Sequence, residues 1–137
     1  LPAPVIQRLN EGETHIVDRF VGATIIFADI VEFTPLVARM EAGDLIKELS
    51  NLFTAFDDLA AQHGIEKIKT IGDAYMAASG IPSHREDHAH AAVDFARDIL
   101  RTMSDNSVSE VGLQIRIGIP AVQILFLLTY QREGPFA

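Results

Sequence analysis

Apolar and polar positions along this chain follow two rhythms. Residues 23–28, Ala-Thr-Ile-Ile-Phe-Ala, are apolar almost throughout. That is the pattern of a central strand covered on both faces, with Asp29 following it directly. Residues 44–62 instead repeat at the helical period, with Leu45, Leu49, Leu52, Phe56 and Leu59 on one stripe and Ile46, Phe53 and Ala60 beside it. His63-Gly64 closes this helix, with glycine just past its end. Thr34 and Pro35 suit the start of a preceding helix, threonine as cap and proline in the first turn. Gly43 reads as the interruption between the two helices. A short helix over 4–10, stopping near Gly12, precedes all of this.

Two short strands, 65–71 and 74–79, flank Gly72-Asp73, a pair suited to a tight hairpin. A helix over about 87–103 is expected to bury Ala89, Ala92, Val93, Ala96, Ile99, Leu100 and Met103. Leu113, Ile115, Ile117 and Ile119 then alternate with Gln114, Arg116 and Gly118, the mark of a half-buried strand. The order β-αα-β-β-α-β predicts an α+β domain, a ferredoxin-like split βαβ sandwich with helices packed on an antiparallel sheet. In that topology the first and third strands are antiparallel neighbours. Asp29 at the end of one and Asp73 at the start of the other therefore meet at one edge of the sheet.

Composition narrows the chemistry. The 137 residues suit one domain, and 48% apolar with 22% charged residues is ordinary for a globular chain. Acids exceed bases by 19 to 11, for a formal charge of −8, with no basic cluster. This argues against a nucleic-acid partner or an anionic membrane surface. The absence of cysteine excludes disulfides and thiolate metal sites and is compatible with the cytoplasm. The longest dense apolar run, Ile124–Leu128, falls far short of the roughly 20 residues a membrane span needs. The chain starts at Leu1 without a signal-peptide pattern, and upstream sequence is expected to have been cut away.

Two carboxylates at one sheet edge repel each other, and a divalent cation relieves that repulsion. Hard oxygen ligands suit Mg²⁺ or Mn²⁺, with phosphate oxygens completing the shell. The chain after Asp29 runs into a helix N-terminus, whose free N–H groups favour phosphate. Taken singly, Asp73 is an ordinary turn residue and Asp29 an ordinary strand-end cap. His84, His88 and His90 with Asp87 form a second candidate cluster, His84 and His88 being spaced as ligands on one helical face. The bland reading is that Glu86 and Asp87 favour the helix start electrostatically. No phosphate-binding Gly-rich motif of the P-loop type, dinucleotide fingerprint or serine-nucleophile motif is present.

Phe27-Ala28-Asp29-Ile30-Val31-Glu32-Phe33-Thr34 and Glu66-Lys67-Ile68-Lys69-Thr70-Ile71-Gly72-Asp73-Ala74-Tyr75-Met76 together resemble the catalytic domain of class III nucleotidyl cyclases, the adenylate/guanylate cyclases. Asp87-His88-Ala89 and Arg116-Ile117-Gly118-Ile119 fit the same family, and the lead-in around Leu1–Glu13 resembles its short signalling helix. The resemblance implies a division into a lead-in over 1–20, a partial catalytic domain over 21–119 and a tail over 120–137 outside the family pattern. It implies that Asp29, Asp73 and the Ile30 carbonyl hold two Mg²⁺ or Mn²⁺ ions, and that backbone groups of Phe33 and Thr34 cradle phosphate. Lys69 would specify the purine: an ammonium only donates, so it addresses an acceptor nitrogen of adenine, whereas similar guanylate cyclases carry Glu there. The implied reaction converts ATP to 3′,5′-cyclic AMP and pyrophosphate, in cyclic nucleotide signalling. Glu32 departs from the pattern, since many relatives have Gly, and it is expected to face solvent.

Family catalytic domains continue past the strand at 113–119 with an Asn and an Arg that position the ribose and stabilise transition-state charge. Pro120-Ala121-Val122-Gln123-Ile124-Leu125-Phe126 does not match that continuation, as a disrupted reading frame or natural degeneration would leave it. In this family each site forms between two chains, as a homodimer or a heterodimer with another cyclase chain. No catalytic set is complete in this chain, and it is expected to be weak or inactive alone. Two alternatives stand beside this: a non-catalytic nucleotide-binding or regulatory module pairing with another cyclase chain, and an unstable remnant. Residues 123–130 are uncharged, β-prone and free of proline, an aggregation hazard unless a sheet edge takes them.

Overall fold

The computed structural model describes residues 3–13, 22–105, 108–109 and 111–120. The tail beyond Pro120, and most of the link between lead-in and domain, lie outside the described residues. The elements run α1 (Ala3–Asn10), β1 (Thr24–Ile30), α2 (Phe33–Arg39), α3 (Ala42–His63), β2 (Glu66–Ile71), β3 (Ala74–Ser79), α4 (His88–Ser104) and β4 (Ile115–Gly118). The strands form one sheet in the order β2-β3-β1-β4, every neighbour antiparallel. This is the α+β split βαβ arrangement expected from the element order.

Alternation along the strands splits the sheet into two unlike faces. Ile26, Ala28 and Ile30 of β1 join Tyr75 and Ala77 of β3 under Leu52, Phe56 and Ala60 of α3 and Ala92, Phe95 and Ile99 of α4. The rings of Phe53 and Phe56 stand 5.8 and 5.4 Å from that of Tyr75, contacts adding about 0.5–1.5 kcal/mol per pair beyond burial. On the other face Ala23, Ile25, Ala78 and Ile81 make a smaller cluster with Ile68 and Met76 against it. Toward the Asp29 end this face is open: Phe27 is 39% exposed and Ile71 58%. The strand over 23–28 was expected to be covered on both sides. Instead helices cover one face only, as an antiparallel sheet allows, and Asp29 is a member of β1 rather than its successor.

Three helix boundaries differ from the pattern reading. Glu32, in the left-handed conformation at φ 54, precedes α2, so Thr34 lies inside the helix and caps nothing. The break before α3 falls at extended Met40 and Glu41, and Gly43 is helical. Glycine costs a helix about 0.5–1 kcal/mol relative to alanine through backbone entropy, a small cost against the 22 residues of α3. In α4, Ala91, Ala92, Phe95, Ala96 and Ile99 are the buried residues, while Ala89, Val93 and Leu100 are exposed. The far end of α3 is as anticipated: Gly64 adopts φ 65 and its N–H returns to Ala60 and Ala61. Arg85 Nη1 donates to the His63 carbonyl at 2.7 Å, and His63 Nε2 meets Asp98 Oδ2 of α4 at 2.6 Å.

Candidate active site

The open face is ordered by strand register. Lys69 of β2 lies opposite Met76 of β3, Met76 opposite Phe27 of β1, and Phe27 opposite Gly118 of β4. One pair nearer the hairpin turn, the row reads Ile71, Ala74, Asp29, Arg116. Directly opposed residues share a face and neighbouring strands lie about 4.8 Å apart. Asp29 is thus across from Ala74, the residue after Asp73 in the chain, and shares a face with Lys69 and Arg116. The two acids, 44 positions apart in sequence, come to the same end of the same strand pair. Asp73 occupies the turn with Gly72, whose φ of 57 is why glycine stands there. Both carboxyl-bearing residues are half-buried.

The two lysines of β2 are sharply distinguished. A register shift between Lys67 and Lys69 places Lys67 opposite Ala77 and Lys69 opposite Met76. Two residues of β2 therefore span one step of β3, a β-bulge, and the lysines fall on opposite faces. Lys67 Nζ lies 3.1 Å from Asp57 of α3 and 5.5 Å from the Tyr75 ring centroid. Tyr75 Oη donates to Asp57 Oδ1 at 2.7 Å. Burial, then this hydrogen bond and the Asp57 charge, push the Tyr75 phenol well above its ordinary range. Lys67 is thus a structural lysine on the helix side, and Lys69 projects to the open side.

Val31 and Glu32 turn the chain from β1 into α2, with the Val31 N–H held by the Gln114 carbonyl at 2.9 Å. Phe33 and Thr34 follow in the first turn, where backbone N–H groups lack intrahelical acceptors. Glu32 is exposed, as expected, and its left-handed backbone is a conformation that glycine adopts most readily. A groove of about 310 Å³ beside this turn is lined by Val31, Glu32, Leu36, Arg39 and residues 111–114. It contains neither acid and not Lys69, so the candidate site is the open sheet face.

The histidine cluster does not assemble. His84 precedes α4 rather than sharing a helical face with His88. His88 Nδ1 lies 2.8 Å from Thr24 Oγ1, and its ring packs where a Cβ on Gly22 would sit, 3.1 Å from Nε2. Asp87 is taken by Arg85 at 2.7 and 3.0 Å, a hydrogen-bonded pairing that holds its carboxyl below the usual range. Among the described residues no group of three or more His, Cys, Asp and Glu gathers as a metal site. The Asp29–Asp73 pair offers two carboxylates, a hard-oxygen donor set that fits a divalent cation when backbone and phosphate oxygens complete it. Arg116 fits the family pattern without a role that its sequence position alone suggests. Its place across from Asp29 depends on the β1–β4 register, which no local signal encodes.

Comparison with known proteins identifies the family. Residues 17–127 match the family described as "Adenylate and Guanylate cyclase catalytic domain". An adenylate cyclase of Mycobacterium tuberculosis is 47% identical over 100 residues, covering 72% of this chain and 23% of that protein. A membrane guanylyl cyclase of Dictyostelium discoideum is 38% identical over 121 residues, covering 87% of this chain and 8% of that protein. The crystal structure of the guanylate cyclase domain of RhGC from Catenaria anguillulae in complex with GTP superposes with a TM-score of 0.70 at 35% identity. That match covers 74% of this chain and 57% of the solved one. The chain spans less than a quarter of these curated relatives. With the family pattern over most of its length, close relatives in sequence and a matching fold, this chain belongs to the adenylate and guanylate cyclase catalytic-domain family.

Proposed function

We propose that this chain supplies the metal-, phosphate- and purine-binding half of an adenylate cyclase site, for the conversion of ATP to 3′,5′-cyclic AMP and pyrophosphate in intracellular signal transduction. The observation that carries this reading is the register that sets Asp29 opposite Ala74, beside Asp73, on the face that also bears Lys69. Asp29, Asp73 and the Ile30 carbonyl would hold two Mg²⁺ or Mn²⁺ ions, which when bound favour deprotonation of the ribose 3′-hydroxyl and neutralise triphosphate charge. Phe33 and Thr34 would receive phosphate oxygens through their backbone N–H groups. Lys69, two strands from Asp29 on the same face, would donate to an acceptor on adenine. Relatives of both purine specificities align with the chain, so the ATP preference rests on Lys69.

The exposed Phe27 and Ile71 beside these residues favour cover by another cyclase chain, in a homodimer or heterodimer. Within residues 1–137 no Asn or Arg is assigned to ribose positioning and transition-state stabilisation, so we expect weak or no turnover by this chain alone. We assign 1–20 to a lead-in, 21–119 to the partial catalytic domain and 120–137 to a tail. No helix among the described residues is long and apolar enough to cross a membrane, and we place the activity in the cytoplasm, without a nucleic-acid partner. The same geometry serves a second reading, a regulatory module that binds nucleotide for a catalytic partner.

Calorimetry with Mn²⁺ and ATP tests the site: binding by the unsubstituted chain and its loss in Asp29→Ala are expected, and equal binding by both would refute it. Mixing with a cyclase chain that lacks its own metal carboxylates separates the readings. Cyclic AMP formation that depends on Asp29 and Asp73 supports the catalytic one, whereas nucleotide binding without such rescue supports the regulatory one.

A further inference from the structure

We propose that Asp57 of α3 is a positioning residue for purine selection, because it holds Lys67 on the helix-covered face and so leaves Lys69 as the one lysine of β2 on the open face. This inference rests on the reading of Lys69 as the purine-contacting group.

Lys67 and Lys69 are two positions apart, and in a regular strand residues so spaced share a face. The hairpin turn fixes one end of the ladder, with Ile71 opposite Ala74, Thr70 opposite Tyr75 and Lys69 opposite Met76. Continued without interruption, that register would set Lys67 opposite Ala78, on the open face with Lys69 and about 7 Å from it. The bulge moves Lys67 to Ala77 instead. Two observations account for it. Ile68 packs against the cluster of Ala23, Ile25, Ala78 and Ile81. Lys67 reaches Asp57 at 3.1 Å over the Tyr75 ring, and the Tyr75 hydroxyl locks the same carboxylate at 2.7 Å. Asp57 therefore binds a β2 residue and a β3 residue from above, on the two sides of the bulge.

Releasing Lys67 would let the ladder relax toward the uninterrupted register and bring a second ammonium beside Lys69. A second cation attracts any triphosphate regardless of its base, so it adds affinity for both nucleotides and erodes the preference of one over the other. Asp57 thus acts on discrimination through a residue that never needs to touch the purine.

The test uses the full chain and calorimetry with the α,β-methylene analogues of ATP and GTP, each with Mn²⁺. The ratio of the two affinities is read because it does not depend on the fraction folded. Asp57→Asn keeps an acceptor for the Tyr75 hydroxyl while removing the negative charge that holds Lys67. We expect it to lower the ATP:GTP ratio about threefold or more, and expect Asp57→Asn combined with Lys67→Met to return the ratio toward its original value. A ratio unchanged in Asp57→Asn, or a double variant no closer to the original than the single one, overturns the inference, provided that Lys69→Ala alters the ratio. Should Lys69→Ala leave the ratio unchanged, or the unsubstituted chain bind neither analogue, the purine reading falls and this inference falls with it.

Discussion

Asp29 of β1 and Arg116 of β4 form a directly opposed pair across the uncovered face of the sheet. Opposed residues of antiparallel strands have Cα atoms about 5 Å apart, and opposite charges so placed attract by about 0.2–1 kcal/mol. On the proposed reading, a guanidinium here would offset some of the repulsion between the two acids and offer a cation to a triphosphate. It would also compete with a divalent ion for Asp29. Arg116→Ala is therefore expected to tighten the binding of Mn²⁺ alone by up to about fivefold, and to weaken the binding of Mn²⁺ with ATP. Calorimetry on both ligands decides: equal shifts of the same sign would show that Arg116 does not act through Asp29.

Glu32 carries the only positive φ found among the described non-glycine residues. A side chain in that conformation costs about 1–2 kcal/mol, whereas glycine there adds about 0.5–1 kcal/mol of unfolded-chain entropy. The first effect wins by a small margin. Glu32→Gly is expected to stabilise the fold by about 0.5 kcal/mol, read as a higher urea midpoint at unchanged slope. A lower midpoint would mean that the Glu32 side chain contributes something the turn geometry does not reveal.

Tyr75 gives the fold an alkaline limit. Its phenol is held above the ordinary range near 10, mainly by burial. Below about pH 10 both folded and unfolded chains keep the proton, and the contribution is fully present. Above it the unfolded chain loses the proton first, so stability falls as pH rises. Chemical denaturation between pH 8 and 11 is expected to show a steeper decline for the unsubstituted chain than for Tyr75→Phe. Parallel curves would mean that the phenol ionises freely in the fold.

Phe56 has no exposed surface and touches both the Phe53 and Tyr75 rings. Phe56→Ala is expected to cost about 3–5 kcal/mol, and Ile99→Val in α4 only about 0.5–1.5 kcal/mol. Denaturant titration of the two variants checks the contrast. Similar small losses would place the centre of the core away from α3.

The hairpin was legible because a Gly-Asp pair between two apolar runs has few other conformations open to it. The stripe along α3 was legible because Leu52, Phe56 and Ala60 repeat at the helical period over many turns. In α4 the same reasoning chose Val93 and Leu100, which are exposed, and passed over Ala91 and Phe95. So many small residues lie along that helix that several stripes are equally apolar, and only the sheet beneath selects one. Thr34-Pro35 carries a sound capping signal, yet the left-handed turn at Glu32 starts the helix earlier. Asp29 and Asp73 were paired from topology alone. The bulge that parts Lys67 from Lys69 was hidden, because the partners of Lys67 and Ile68 on either side of the sheet belong to other elements.

The hairpin that presents Asp73 closes across two residues, an event of about 1–10 μs in small peptides. Asp29 reaches it only through the β1–β3 ladder, a long-range pairing of the kind that slows folding. One acid is thus in place early and the other arrives late. On the proposed reading, a divalent ion that required both would bind the finished chain and not its precursors. By mass action such an ion would raise the melting temperature with the logarithm of its concentration, and heat resistance would then gauge whether the sheet has closed.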